Sequence, residues 1–139
     1  MWIITVVFMV ICTVVDVKKK EIPIAFIMLF GFLTAVYIGL FDKREIILIL
    51  YSFIPGALLL ALSLCTRESI GYGDGLVVLV LGMLTGVETC FLVVGLGLLV
   101  SSLCALILLV LRKVNGRSRL PFIPFLTIGL GVVLIVQKV

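Results

Sequence analysis

The chain has 139 residues, of which 64% are hydrophobic and 13% are charged, and its mean hydropathy is +1.49. A soluble domain of this size could not hide so much apolar surface, so the composition predicts one integral membrane domain over residues 1–139. There is no histidine, which excludes histidine metal sites and histidine general bases, and the net charge of +4 is expected to report membrane orientation rather than nucleic-acid binding. The four cysteines form no C-x-x-C pair, so we expect them to be apolar fillers, with no metal, cofactor or disulfide.

Six apolar segments follow one another, and each predicts one transmembrane helix. Their bounds are Trp2–Val15, Ile24–Phe41, Ile46–Leu64, Gly75–Val87, Thr89–Leu111 and Leu120–Val136. The first has no basic region before it and no small-residue cleavage site after it, so we expect a retained span rather than a signal peptide. Pro55 and Pro124 predict kinks, whereas Pro121 suits the first turn of the last helix.

The basic residues divide unequally between the two sides of such a six-span protein. One side has eight of the eleven Lys and Arg residues, and the other has three. The eight are Lys18, Lys19, Lys20, Arg67, Arg112, Lys113, Arg117 and Arg119, and the three are Lys43, Arg44 and Lys138. The positive-inside rule then predicts that the eight face the cytoplasm and that both termini lie outside.

Two lone aspartates stand at the predicted cytoplasmic ends of apolar segments. Asp16 follows the first segment, and Asp74 directly precedes the fourth. Because a carboxylate near hydrocarbon is costly, each is a candidate functional residue. The helix from Trp2 to Asp16, like that from Glu88 back to Asp74, rises about 21 Å, which is less than the roughly 30 Å of the hydrocarbon core. We therefore expect both carboxylates at one depth, just below the inner headgroups.

These aspartates predict a catalytic pair in a water-filled notch that opens to the cytoplasm between the first and fourth helices. Gly71 and Gly73 are expected to supply irregular backbone that approaches closely. Two carboxylates a few Å apart cannot easily both ionise, so the pair would hold one proton near neutral pH. The ionised member could accept a proton from water while the protonated member donates to a carbonyl oxygen, as in aspartic proteases.

Simpler interpretations of the same residues stay open at this point. Asp74 could N-cap the fourth helix, and Asp16 could form an ion pair with Lys19 or Lys20. The chain could also be a non-enzymatic proton- or cation-conducting subunit, because intramembrane carboxylates serve as relay stations, or an assembly scaffold. Transport predicts carboxylates spread along a path across the membrane, whereas these two cluster near one face.

Three motifs resemble those of the type IV prepilin peptidase family. Asp16-x-x-x-x-x-Ile22-Pro23 is similar to the first catalytic motif, and Gly71-Tyr72-Gly73-Asp74 with Leu81-Gly82-x-x-x-Gly86 is similar to the Gly-x-Gly-Asp motif and the helix after it. Leu120-Pro121-Phe122-x-Pro124-Phe125-Leu126 resembles the late Pro-Phe-x-Pro-Phe motif. The motifs stand in the family's order and cover nearly the whole chain. We expect Gly82 and Gly86 to seat the fourth helix against a neighbour in the same chain.

The resemblance implies a six-helix intramembrane aspartic endopeptidase in the plasma membrane of a bacterium or archaeon. Such enzymes remove short basic leaders from pilin-like precursors at the cytoplasmic face, with membrane lipid as their other partner. Asp16 and Asp74 would be catalytic, and Pro23, Gly71, Gly73, Pro121 and Pro124 would shape the site. The sequence departs from the family at Ile24 and Leu76, where asparagine and lysine are frequent. It has no segment with paired cysteines before the first span, so we expect no N-methylation activity.

Overall fold

The computed structural model describes residues 2–19, 23–41, 45–65, 71–111 and 121–138, and all regular structure in these ranges is helical. Within these described ranges, seven helices follow in chain order. They are α1 Trp2–Lys19, α2 Ile24–Phe41, α3 Ile46–Ser52, α4 Ile54–Cys65, α5 Tyr72–Thr85, α6 Val87–Val110 and α7 Ile123–Lys138. The prediction of an all-helical membrane protein is confirmed, with α3 and α4 together occupying the third apolar segment.

Three stretches in the described part of the chain are long and apolar enough to cross a membrane. They are Ile24–Phe41, Ile46–Cys65 and Val87–Val110. Helix α1 combines a long apolar run with Asp16, Lys18 and Lys19 near its end. Helices α5 and α7 are apolar but shorter, since α5 has 14 residues, or about 21 Å. The six-span topology with both termini outside therefore remains a prediction.

The third apolar segment is interrupted at Phe53. The Phe53 N–H donates to the carbonyl of Leu50 at 3.2 Å, a tight turn that ends α3, and α4 resumes at Ile54. Pro55 has no N–H to donate to the preceding turn and occupies the first turn of α4, where this loss costs least. The kink predicted near Pro55 is present as a break between two helices, since α3 ends at Ser52, three residues before the proline.

Helices α5 and α6 are separated by a single residue, Gly86. Its φ of 86° and ψ of 166° fall in a region that glycine alone adopts readily. The Gly86 N–H donates to the carbonyl of Gly82 at 2.8 Å, and its own carbonyl accepts from Cys90 at 3.0 Å. A sharp reversal is thus made without a loop, and α5 ends at Thr85 rather than at the predicted Val87.

Glycines bring helix backbones close together at several interfaces, among them those of α4 with α5 and of α6 with α7. A Cβ on Gly56 would lie 2.6 Å from the Cα of Leu79, which places α4 directly against α5. A Cβ on Gly129 would lie 2.8 Å from the carbonyl oxygen of Val93, which places α7 directly against α6. Small residues permit such close packing where lipid supplies no hydrophobic driving force between helices.

The core is built by side chains from α1, α2, α4, α5, α6 and α7, and large apolar side chains cover the outer faces. The ring of Phe8, which is fully buried, stacks on Phe30 with centroids 4.3 Å apart. Outward-facing residues such as Leu40, 73% exposed, and Ile46, 78% exposed, would be unfavourable in water and suit contact with lipid chains.

Candidate active site

Asp16 lies near the carboxyl end of α1 and is buried, with only 6% of its surface exposed. Its Oδ2 accepts a hydrogen bond from the backbone N–H of Ile123 at 3.3 Å. Ile123 is the first residue of α7, and the first N–H groups of a helix have no partner within that helix. The Asp16 carboxylate on α1 therefore accepts a hydrogen bond from an N–H of α7 that has no partner within its own helix. The positive end of the α7 dipole also faces this carboxylate.

Asp16 makes a different contact from the ion pair with a neighbouring lysine that the sequence suggested. Lys18 and Lys19 are exposed at the end of α1, and Lys20 lies outside the described residues. The Asp16 carboxylate instead accepts a hydrogen bond from the Ile123 N–H. Burial and a long-range backbone partner distinguish Asp16 from an interfacial residue that pairs with nearby surface charge.

Asp74 lies in the first turn of α5 and is half-buried. The N-cap residue of this helix is Gly71, so the interpretation of Asp74 as an N-cap is wrong. Asp74 is the third helical residue, and its N–H donates to the Gly71 carbonyl at 3.0 Å. Its carboxylate folds back over Gly71, where it receives a backbone hydrogen bond, which resembles the returning half of a capping box.

The two aspartates lie toward the same end of the bundle. Helix α1 packs against both α5 and α7, and the Asp16–Ile123 hydrogen bond places its carboxyl end beside the amino end of α7. The charges of Asp16 and Asp74 interact across the α1–α5 interface. The structure therefore brings together the two carboxylates that the sequence singles out, at the amino ends of two helices whose dipoles favour negative charge.

The position of the Asp74 carboxylate explains why residue 71 is a glycine. A Cβ added there would lie 3.0 Å from Oδ2 and 3.3 Å from Cγ of Asp74, so a side chain would push the carboxylate aside. Gly73, in contrast, is the second residue of α5. The expectation that Gly73 forms irregular backbone is wrong, because the helix begins at Tyr72 and includes it.

The three prolines predicted to shape the site lie at or just before helix starts. Pro23 is exposed directly before α2, and its carbonyl accepts from Phe26 at 2.9 Å. Pro121 precedes α7 by two residues, and Pro124 is the second residue of that helix. The kink predicted at Pro124 is wrong, because a proline in the first turn removes an N–H that has no intrahelical partner anyway. Pro121 was expected in the first turn of the last helix, but it lies just before that helix begins.

Sequence reasoning did not single out the contact between Asp16 and Ile123, nor a second contact beside it. The hydroxyls of Thr13 and Thr127 lie 2.6 Å apart across the α1–α7 interface. The late Pro-Phe-x-Pro-Phe motif was the available signal, since it places the start of α7, but an aliphatic residue inside that motif carries no chemical sign that its backbone binds a carboxylate.

A groove of about 510 Å³ opens at the other end of α1 and α7. It is lined by Trp2, Ile3, Val6, Val7, Leu134, Ile135 and Gln137. Trp2 lies about 21 Å along α1 from Asp16, so this groove is not the notch expected beside the carboxylates. That notch remains a prediction, and the segments that would border it, 20–22, 66–70 and 112–120, lie outside the described residues.

In the part of the chain that the structure describes, all regular structure is helical and three stretches are long and apolar enough to cross a membrane, which defines a helical membrane protein. The model of the type IV leader peptidase family matches residues 3–136, which is nearly the whole chain. The chain belongs to this family and is a leader peptidase-type protease, as the three motifs predicted. No curated protein and no solved structure matches it significantly.

Proposed function

We propose that this protease is an intramembrane aspartic endopeptidase that removes short basic leaders from type IV prepilin-like precursors at the cytoplasmic face of a bacterial or archaeal plasma membrane. The observation that carries the proposal is the placement of Asp16, near the carboxyl end of α1, and Asp74, in the first turn of α5, on two helices that pack together. Two carboxylates from distant parts of a chain are costly to hold together beside hydrocarbon, and family membership supplies a reaction that requires such a pair.

Peptide hydrolysis by this pair follows from their shared proton. The ionised carboxylate accepts a proton from a water molecule, whose oxygen attacks the carbonyl carbon of the scissile bond. The protonated carboxylate donates to the carbonyl oxygen, which gives a neutral tetrahedral intermediate. This intermediate collapses with cleavage of the C–N bond and transfer of a proton to the leaving amine.

The position of the pair suits a substrate whose apolar helix lies in the bilayer. The scissile bond would enter as extended peptide, because a helix engages its carbonyls in internal hydrogen bonds. Exposed Lys18 and Lys19 stand two and three residues after Asp16. Like charges would repel a basic leader, so these lysines are better suited to contact anionic lipid than to bind the leader.

The alternative of a conducting subunit gains no support from this arrangement. Conduction needs polar groups along the length of a path, whereas Asp16 and Asp74 lie toward the same end of the bundle.

The test is co-expression with candidate prepilin-like precursors from the same genome, with leader removal measured by mass. Wild type is expected to cleave, and Asp16→Asn and Asp74→Asn are expected to accumulate intact precursor while inserting into membranes at normal levels. The matched control is Glu88→Gln, which removes an exposed carboxylate in the first turn of α6 and should cleave normally. Cleavage by Asp74→Asn would refute the assignment.

A further inference from the structure

Thr13 and Thr127 form a polar bridge between α1 and α7. Their Oγ1 atoms lie 2.6 Å apart, and both side chains are half-buried. Thr13 precedes Asp16 by three residues, and Thr127 follows Ile123 by four. The bridge therefore lies one helical turn from the Asp16–Ile123 hydrogen bond on the same interface.

The hydroxyl geometry connects the bridge to Ile123. Thr127 Oγ1 donates to the Ile123 carbonyl at 3.1 Å, and the Met9 carbonyl is a longer alternative at 3.4 Å. A threonine hydroxyl has one hydrogen, so when Thr127 donates to Ile123 it must accept from Thr13. A continuous series of hydrogen bonds then runs from the Thr13 hydroxyl through the Thr127 hydroxyl to the Ile123 carbonyl. The N–H of Ile123 in turn donates to Asp16.

A threonine in a membrane helix does not need a partner on another helix. Its hydroxyl can bond to the carbonyl four residues earlier, as Thr85 does to Leu81 at 2.8 Å. Thr13 instead makes its short contact with Thr127 on α7. The α1–α7 interface is thus fixed in register by two polar contacts one turn apart, and a slip of one residue, about 1.5 Å, would break both.

We propose that Thr13 and Thr127 are positioning residues that hold Ile123 against Asp16 and so orient this carboxylate toward Asp74. Neither threonine needs to touch the substrate. This inference rests on the proposed catalytic role of Asp16, so its test includes a measurement that does not depend on activity.

The experiment compares Thr13→Val and Thr127→Val, which remove the hydroxyls at nearly constant volume, with Thr13→Ser and Thr127→Ser, which retain them. The control is Thr89→Val, because the Thr89 hydroxyl accepts from Gln137 at 3.4 Å across α6 and α7 near the other end of the bundle. The measurements are kcat and KM for a precursor, the midpoint of thermal unfolding, and the amide signal of Ile123 in protein labelled with ¹⁵N-isoleucine. Ile123→Leu assigns that signal.

Both valine variants are expected to lower kcat about tenfold, equivalent to about 1.4 kcal/mol, with KM little changed. They should also move the Ile123 amide signal, as Asp16→Asn does. The serine variants should have the wild-type kcat and the wild-type Ile123 amide signal. Thr89→Val should change neither kcat nor this signal, even if it lowers the midpoint of thermal unfolding.

An unchanged Ile123 signal together with wild-type kcat in Thr13→Val would overturn the proposal. An equal loss of kcat in Thr89→Val would also overturn it, because general destabilisation would then account for the effect. If the wild-type protein cleaves no precursor but its Ile123 signal still responds to Thr13→Val, the bridge is supported and the peptidase assignment of Asp16 fails instead.

Discussion

The Asp16 carboxylate accepts a hydrogen bond from the Ile123 N–H across 107 positions of sequence. This bond joins the first family motif to the last, since Ile123 lies between the two prolines of the Pro-Phe-x-Pro-Phe segment. Pro124, as the second residue of α7, offers no N–H of its own. The motif thus gives α7 a defined start beside the carboxylate, with the Ile123 N–H directed at it.

The Asp16–Asp74 interaction predicts that the two residues act as a unit. Asp16→Asn and Asp74→Asn should each lower kcat/KM for a precursor roughly a thousandfold or more, and the double variant should lose no more than either single one. The reason is that one carboxylate without the other cannot both activate water and protonate the carbonyl. Single-turnover kinetics with purified protein would measure this, and multiplicative losses would indicate independent roles.

Gly71→Ala should impair catalysis while leaving the fold intact. Its Cβ would lie 3.0 Å from Asp74 Oδ2, and the end of a side chain can move away at little cost in stability. The displacement of a reacting group by a few tenths of an ångström should lower kcat by about tenfold. Gly95→Ala is the matched control, because a Cβ there meets nothing within 4 Å. Wild-type kcat in Gly71→Ala would show that this carboxylate tolerates displacement.

Much of the fold could be predicted because the apolar segments are separated by polar residues. Each of the six segments contains a helix, or two in the case of the third. The ends were harder to predict. A single glycine with φ of 86° can replace a loop, so α5 and α6 meet at Gly86, and the helical start at Tyr72 depends on a cap made by Gly71, which has no side chain.

The carboxylates of the site could be predicted because an ionisable group beside hydrocarbon needs a reason to be there. The contacts that orient them could not. Ile123 contributes through its backbone, which every residue possesses, and Thr13 and Thr127 resemble the other threonines of the chain until α1 and α7 are docked. Such contacts depend on register between distant helices, which hydrophobic patterning leaves undetermined.

The predicted cytoplasmic location of the site can be measured with a native cysteine. Cys65 is exposed at the carboxyl end of α4, whereas Cys12 and Cys90 are buried. A membrane-impermeant maleimide should label Cys65 in inside-out vesicles and not in intact cells, because only water-exposed thiols react readily. Cys65→Ser should abolish this signal. Glu88→Cys in that background should show the opposite sidedness, and labelling of both positions from one side would contradict the topology.

The Gly82→Ala substitution should destabilise the protein through the contact between α3 and α5. A Cβ at this position would collide with the backbone carbonyl oxygen of Ser52, which cannot move aside as a flexible side chain can. Overpacking of this kind costs typically 1–3 kcal/mol, so we expect a lower midpoint of thermal unfolding in detergent by several degrees. Gly95→Ala, also in a helix but facing open space, should leave the midpoint unchanged or raise it, because alanine favours helix more than glycine does. Equal midpoints for the two variants would show that α3 can shift away from α5 and that Gly82 does not fix their separation.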